Sequence, residues 1–402
     1  MLIRGDAKRI PLADNSVQCV VTSPPYWGLR KYSGDQESVW NNGKLCKLAG
    51  HLWGGPLPGS NRGGSGTPTD KNGRGEGYGR AEERGTVCLE CGAWRGSYGL
   101  EPTIEMYVQH SVLILEEIRR VLRPDGVCFW NIGDSYAASG MGGNPAESEY
   151  RKQATNAGSL IRGHKAPAGL KPKDLCLIPS RVAIAAQAVG WWVRSDIIWN
   201  KPNPMPESVT DRPTDAYEHI LMLTKSSMYY WNSEAVKEAA IDPDRPNLDR
   251  GSAIQGSSHL SNNPRVPVAP RPSDGKRNLR NVWTFSTQPY SGAHFATFPV
   301  ELVIRCLSAA TKPGDLVMDP FGGSGTVGEV AFNMGRRFVL IDLAYQALQR
   351  ERIPPMALNG FLVSGGPLLP ANAVPDGIRQ AGSSSVKSKQ DSSPSTPCFP
   401  VL

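Results

Sequence analysis

The chain has 402 residues, is 39% hydrophobic and carries a formal net charge of +7, with an isoelectric point near 8.9. That length holds one large α/β domain with an insertion, or two modest domains, and the 43 Gly and 34 Pro mark long loops rather than core. The basic balance favours a polyanionic partner, while the most apolar segment, residues 182–193, is too short for a bilayer span and is interrupted by Gln187 and Gly190. No charged leader followed by an apolar stretch opens the chain, so a cytoplasmic location with reduced cysteines is expected.

In chain order, residues 17–21 form a valine-rich run stopped by Ser23-Pro24-Pro25, which predicts a buried strand. From 33 to 99 the composition turns to Gly, Arg, Asn and Ser with almost no apolar periodicity, and reads as an insertion outside the core. Residues 101–122 place Met106, Val108, Val112, Leu115, Ile118 and Val121 at helical spacing. A strand is expected over 127–132, a loop over 135–173, a helix over 179–189, and strands over 191–199 and 220–224. A second stretch without core, 241–281, carries seven Lys or Arg against two acids between Arg245 and Arg280. Then come a helix (299–310), a strand (316–319), a helix (326–334), a strand (337–342) and a helix (345–352). After Pro354 the pattern fades into a tail expected to be disordered. Alternating strands and helices predict a doubly wound, mostly parallel sheet with helices on both faces.

Two loops carry chemistry. Residues 316–319 read as a strand, Pro320-Phe321-Gly322-Gly323-Ser324-Gly325 as a glycine turn, and Thr326 opens a helix; the next strand ends at Asp342. In a βαβ unit the glycines then lie under a ligand and the acid at the next strand tip, where it can accept bonds from both hydroxyls of a ribose. The turn lacks the G-x-G-x-x-G spacing of a nicotinamide site. Asp319, just before the glycines, would repel a pyrophosphate and suits a ligand with a sulfonium and an ammonium, as in S-adenosylmethionine. A plain strand-to-helix turn is the alternative.

The other loop is Thr22-Ser23-Pro24-Pro25-Tyr26. The amine of a nucleobase is a poor nucleophile because its lone pair is delocalised into the ring. Acceptors such as the Ser23 hydroxyl and the Pro24 carbonyl would draw it towards tetrahedral geometry, and prolines pre-aim the carbonyls because they hold φ and lack an N–H. Tyr26 offers a ring face for an extruded base. A proline-terminated strand is the alternative.

TSPPYWGLR, DPFGGSGT, HFATFPVELVIRCL, the opening Gly5-Asp6 and the stretch from Ile197 to Ser226 together resemble the permuted (beta-class) DNA amino-methyltransferase family, in that family's order and from residue 1 to about Arg352. The resemblance implies the α/β sheet of class I S-adenosylmethionine-dependent methyltransferases and double-stranded DNA as partner. It implies catalysis by Ser23, Pro24, Pro25 and Tyr26, and a cofactor pocket lined by Asp6, Phe298, Asp319, Phe321, Gly323 and Asp342. Asp342 departs from the glutamate often found there, which leaves the ribose role intact. Ser before Pro-Pro-Tyr is commonest in cytosine N4 enzymes; adenine N6 is the runner-up. A homodimer and a companion restriction endonuclease are compatible partners.

Cys46, His51, Cys88 and Cys91 form a candidate zinc set: a loosely spaced C-x4-H, then C-x2-C followed by Gly92. No Glu is arranged to activate water, so the zinc would be structural, in a zinc-ribbon-like insertion that presents Arg62, Arg74, Arg80, Arg84 and Arg95 to DNA. Two unrelated polar cysteines and a surface histidine are the alternative. The expected organisation is core (1–32), zinc insertion (33–99), core (100–240), target-recognition segment (241–281), cofactor half (282–353) and tail (354–402). From another functional class, the chain could be a zinc-containing DNA-binding protein on an inert methyltransferase fold; the intact Ser23 to Tyr26 argues against that.

Overall fold

The computed structural model describes residues 1–28, 36–41, 51–55, 86–137, 169–204, 206–207, 209–242, 275–287 and 299–355. In chain order the strands are β1 (Leu2–Arg4), β2 (Val17–Thr22), β3 (Glu37–Trp40), β4 (Trp53–Gly55), β5 (Val87–Cys88), β6 (Trp94–Ser97) and β7 (Leu122–Ile132). They continue with β8 (Trp192–Asn200), β9 (Tyr217–Thr224), β10 (Glu238–Ala239), β11 (Lys276–Arg277), β12 (Val282–Thr284), β13 (Leu316–Asp319) and β14 (Arg337–Asp342). The helices are α1 (Ile104–Val121), α2 (Ile178–Ala188), α3 (Val300–Ala310), α4 (Thr326–Asn333) and α5 (Gln346–Arg352).

Eight strands form one sheet in the order β1-β14-β13-β2-β7-β9-β8-β12. Every neighbour pair is parallel except the two that flank β9. The expected α/β class with a mostly parallel sheet is therefore the observed one. The chain winds outward in one direction from β13 and in the other from β2, so the switch point lies between these two strands. Ligands of open α/β sheets bind outside the carboxyl ends of the strands at such a point.

The sheet is covered on both faces: its central strands are mostly apolar and buried at nearly every position, β2 at all six, unlike the alternating strands of a half-solvated sheet. Successive side chains point to opposite faces, and the burial follows that period. Val20, Cys128, Trp130, Leu221, Met318 and Val339 join one core with Ile114, Leu115 and Ile118 of α1. Their neighbours Cys19, Val21, Phe129, Ile220, Met222, Val317 and Leu340 join the other, with Leu302, Val303 and Leu307 of α3. Cys19, Cys128 and Cys306 are buried free thiols in these layers, and burial pushes the Cys128 thiol up.

Helix α1 starts at Ile104, later than its apolar pattern suggests. Thr103 is extended (φ −136°, ψ 154°) and its side chain accepts from the Met106 N–H, a cap that stabilises a helix by about 1 kcal/mol. Glu101 stays outside the helix and turns inward. Strands β7 and β9 run longer than the apolar pattern marks, reaching back to Leu122 and Tyr217, and β8 is shifted by one residue.

The insertion differs from the expectation of a segment without core. β3, β6, β5 and β4 form an antiparallel sheet in that order, and Trp40, Val87, Trp94 and Tyr98 are buried in the first core. A few large aromatic residues on very short strands bury much area without producing periodicity. Arg62, Arg74, Arg80 and Arg84 lie outside the described residues, as do Cys46, Phe298, most of 241–281 and all of 356–402. Among the described residues no helix is long and apolar enough to cross a membrane.

Candidate active site

β2 ends at the switch point with Thr22, and the chain then enters Ser23-Pro24-Pro25-Tyr26. The wall behind this tip comes from the insertion and from α1. Gly28 N–H donates to the Gly99 carbonyl at 2.8 Å, and the Trp27 indole donates to the Glu101 carbonyl at 2.9 Å. Gly99 has φ +91°, and a Cβ on it would stand 2.9 Å from Pro25 Cβ, so only glycine fits there. The Tyr107 hydroxyl donates to the Pro25 carbonyl at 3.0 Å. That leaves the Pro24 carbonyl, one of the two acceptors expected from the sequence, with no donor among the described residues.

Beneath the tip lies a polar cluster that the sequence does not announce. The Tyr26 hydroxyl donates to Glu218 Oε2 at 2.5 Å. Asn131 Nδ2 reaches Tyr26 Oη at 2.7 Å and Glu218 Oε2 at 2.9 Å, and lies 3.3 Å from Ser23 Oγ. Ser23 Oγ is also 3.3 Å from Tyr26 Oη. Lys201 pairs with the other Glu218 oxygen. Asn131 is buried, and its Oδ1 has no hydrogen-bond partner among the described residues. These residues sit near the ends of β7, β8 and β9. Because β9 is antiparallel, its start lies level with the carboxyl ends of the other two strands. Polar residues at strand ends on that edge are the only signal that could have found them. Tyr26, expected as a stacking face alone, is held by its hydroxyl.

On the other side of the switch point β13 ends at Asp319, which is buried. Its Oδ1 accepts from the Thr22 hydroxyl at 2.6 Å and from Phe321 N–H at 3.0 Å. Burial pushes this carboxyl up to about 7 against those two bonds, and the nearby Asp342 adds to the rise. Asp342 closes β14: Gly323 N–H donates to its Oδ2 at 2.9 Å and Ala344 N–H to its Oδ1 at 3.0 Å. Each oxygen keeps a lone pair for a ligand hydroxyl. β1 pairs in parallel with β14 and leads to Asp6, whose Oδ1 accepts from Lys8 N–H at 2.9 Å and Oδ2 from the Ser38 hydroxyl at 2.9 Å. Phe321 stacks on Tyr98 with ring centroids 5.8 Å apart and sets its edge to Trp130. Three carboxylates at the ends of adjacent strands suit a cationic ligand with a ribose and oppose a pyrophosphate. Asp6, Asp319, Phe321, Gly323 and Asp342 thus come to one edge, and Phe298 falls outside the described residues.

A sequence profile described as DNA methylase, covering the exocyclic amino (N6 and N4) type, matches residues 17–350. The chain belongs to that family. It is 36% identical over 361 residues to the Type II methyltransferase M.Cfr9I of Citrobacter freundii, covering 87% of this chain and 88% of the relative. To the Type II methyltransferase M.SmaI of Serratia marcescens it is 34% identical, with 88% and 90% covered. A solved structure of the PvuII DNA methyltransferase (cytosine-N4-specific) aligns at a TM-score of 0.46 and 16% identity, over 86% of this chain and 83% of that one, a likeness too loose to bear on the site. As a DNA methylase the chain acts on DNA, with S-adenosylmethionine as methyl donor.

His51, Cys88 and Cys91 also come together, with their ligand atoms within 4.8 Å of one another. Of the basic residues in 245–280, Lys276, Arg277 and Arg280 are described, and both arginines pair with Glu238.

Proposed function

We propose that this DNA methylase transfers the methyl group to the N4 amine of a cytosine turned out of duplex DNA. The observation that carries the reading is the serine-headed tip. Ser23 Oγ and the Pro24 carbonyl, which has no donor among the described residues, directly follow Thr22, whose hydroxyl is hydrogen-bonded to Asp319 at the end of β13.

Bound S-adenosylmethionine supplies an electrophilic methyl on a sulfonium, and Asp6, Phe298, Asp319, Phe321, Gly323 and Asp342 are the residues proposed to hold it. Asp342 would accept from the ribose hydroxyls, and Asp319 would answer the positive charge. Ser23 and Pro24 accept the two amine hydrogens, which localises the lone pair on nitrogen and aims it at the methyl. Tyr26 packs its ring against the base while its hydroxyl stays on Glu218. As the methyl's bond to sulfur breaks, leaving a neutral thioether, and its bond to nitrogen forms, the amine nitrogen would become cationic and would shed one proton. Ser23 Oγ, Tyr26 Oη and Glu218 form a hydrogen-bonded path that carries this proton to a carboxylate. The proposed target reader is the segment 241–281, where basic side chains contact phosphates and polar ones read base edges. The names of the relatives as Type II methyltransferases support a companion restriction endonuclease as partner.

Nucleoside analysis of DNA from a methylation-free host expressing the chain tests the reading. N4-methylcytosine is expected. N6-methyladenine instead would move the assignment to adenine on the same scaffold, and no modified base would overturn it.

A further inference from the structure

We propose that His51, Cys88 and Cys91 are ligands of a structural zinc ion that ties the insertion together behind the catalytic tip. Cys88 ends β5, Cys91 follows in the turn to β6, and His51 lies two residues before β4, which pairs with β5. The turn has the form of a metal knuckle. Gly92 N–H donates to the Cys88 carbonyl at 2.9 Å, and Cys88 N–H to the Ala93 carbonyl at 2.8 Å. Gly92 has φ +72° with nothing within 4 Å of an added Cβ, so the turn needs glycine for its backbone and not for space. Leu89 N–H donates to the Leu52 carbonyl at 2.8 Å and holds the histidine segment beside the knuckle.

Cys88 and Cys91 carry thiols rather than a disulfide, and His51 Nδ1 is 3.3 Å from Cys91 Sγ. On a tetrahedron with bonds of about 2.3 Å to sulfur and about 2.0 Å to nitrogen, ligand atoms stand roughly 3.4–3.8 Å apart. A set already within 4.8 Å therefore needs to contract by about 1 Å. Thiolate with imidazole selects zinc over the hard cations magnesium and calcium. The sequence candidate for a further ligand, Cys46, lies outside the described residues.

The consequence reaches the active site. β5 pairs with β6, and β6 continues into Tyr98 and Gly99. Tyr98 stacks on Tyr107 and on Phe321, and Gly99 braces the tip through Gly28 and Pro25. An ion at the knuckle thus steadies a wall shared by the catalytic tip and the cofactor loop, in a sheet whose strands of two to four residues are too short to be stable alone.

Elemental analysis of full-length protein, grown with added zinc and purified without chelators, tests the proposal. About one zinc per chain is expected. Cys88→Ser with Cys91→Ser is expected to lose it while still binding S-adenosylmethionine, whose acidic ligands lie on other strands. Zinc-free wild-type protein, or a double variant that keeps its zinc, overturns the proposal. If the variant does not fold, cobalt added to the wild-type chain decides the matter. Thiolate-to-cobalt charge-transfer bands with tetrahedral d–d absorption support the site, and a pale octahedral spectrum without them overturns it.

Discussion

The Thr22 hydroxyl donates to Asp319 Oδ1 at 2.6 Å, joining the strand that leads to Ser23-Pro24-Pro25-Tyr26, the proposed catalytic tip, to the strand that leads to the glycine loop proposed to hold the cofactor. Both residues are buried, and they belong to adjacent parallel strands on either side of the switch point. Thr22 favours the ionised form of an acid that burial holds up at about 7. Cofactor affinity should therefore depend on pH. The cationic cofactor prefers the carboxylate, so below pH 7 a proton must leave on binding, and the dissociation constant should rise about tenfold per pH unit. Above pH 8 it should be flat. Thr22→Val removes a hydrogen bond to a charged group, worth about 1.5–3 kcal/mol. It should move the inflection up by roughly one to two pH units. Calorimetry from pH 5.5 to 9 reads both effects; a flat wild-type profile would remove Asp319 from the cofactor site.

The proposed proton path beneath Ser23-Pro24-Pro25-Tyr26 gives the ring of Tyr26 and its hydroxyl separate roles. Tyr26→Phe keeps a stacking face and breaks the link to Glu218, and Glu218→Gln keeps the shape and removes the carboxylate that takes up the proton. Both should slow methyl transfer by roughly two orders of magnitude, in the range of general acid–base assistance, with DNA affinity little changed. Tyr26→Ala should also weaken binding of the extruded base. Equal rates for Tyr26→Phe and the wild type would confine Tyr26 to stacking.

Much of this framework is legible in the sequence. β2 and β13 are short, mostly apolar runs because parallel strands are buried on both faces, and each ends in a loop whose residue types have a chemical reason. The polar cluster is not legible. Asn131, Lys201 and Glu218 come from three strands separated by long stretches of chain, and no spacing rule links residues that meet only through sheet order. The insertion hides for another reason: Trp40, Trp94 and Tyr98 bury themselves singly, and β4 and β5 are too short to show alternation. The candidate metal ligands were visible because a C-x2-C turn is local.

The Glu101 and His110 side chains are fully buried 2.9 Å apart, and Trp40 stacks on the His110 ring with centroids 4.3 Å apart. Burial pushes the Glu101 carboxyl up to about 8 and the His110 imidazole down to about 3. The raised acid contributes stability that is complete below its unfolded value near 4.5 and is lost as pH rises through 8. The depressed base contributes stability that is complete above 6.5 and is lost as pH falls through 3. Between 4.5 and 6.5 the two slopes cancel, and from 6.5 to 8 the acid alone acts, at a cost of about 2 kcal/mol. Denaturation midpoints at pH 6.5 and 8.5 should fall for the wild type and hold for Glu101→Gln, which keeps an acceptor for Gly99 N–H and a donor for His110. Parallel losses in both proteins would contradict this origin.

In the proposed reading the segment 241–281 chooses the target. Replacing residues 242–281 with the matching stretch of a relative that has another target should move methylation to the donor's sequence. Methylation that stays at the original site would pass the reading role to the insertion.

The most direct test of the central claim is single-turnover methyl transfer to duplex DNA by Ser23→Ala, measured beside its cofactor affinity. With one acceptor for the amine removed and Asp319 and Asp342 untouched, the rate should fall by roughly two to four orders of magnitude while the dissociation constant for S-adenosylmethionine stays within about twofold. Transfer at the wild-type rate would show that Ser23 does not activate the amine and would contradict the account of the tip.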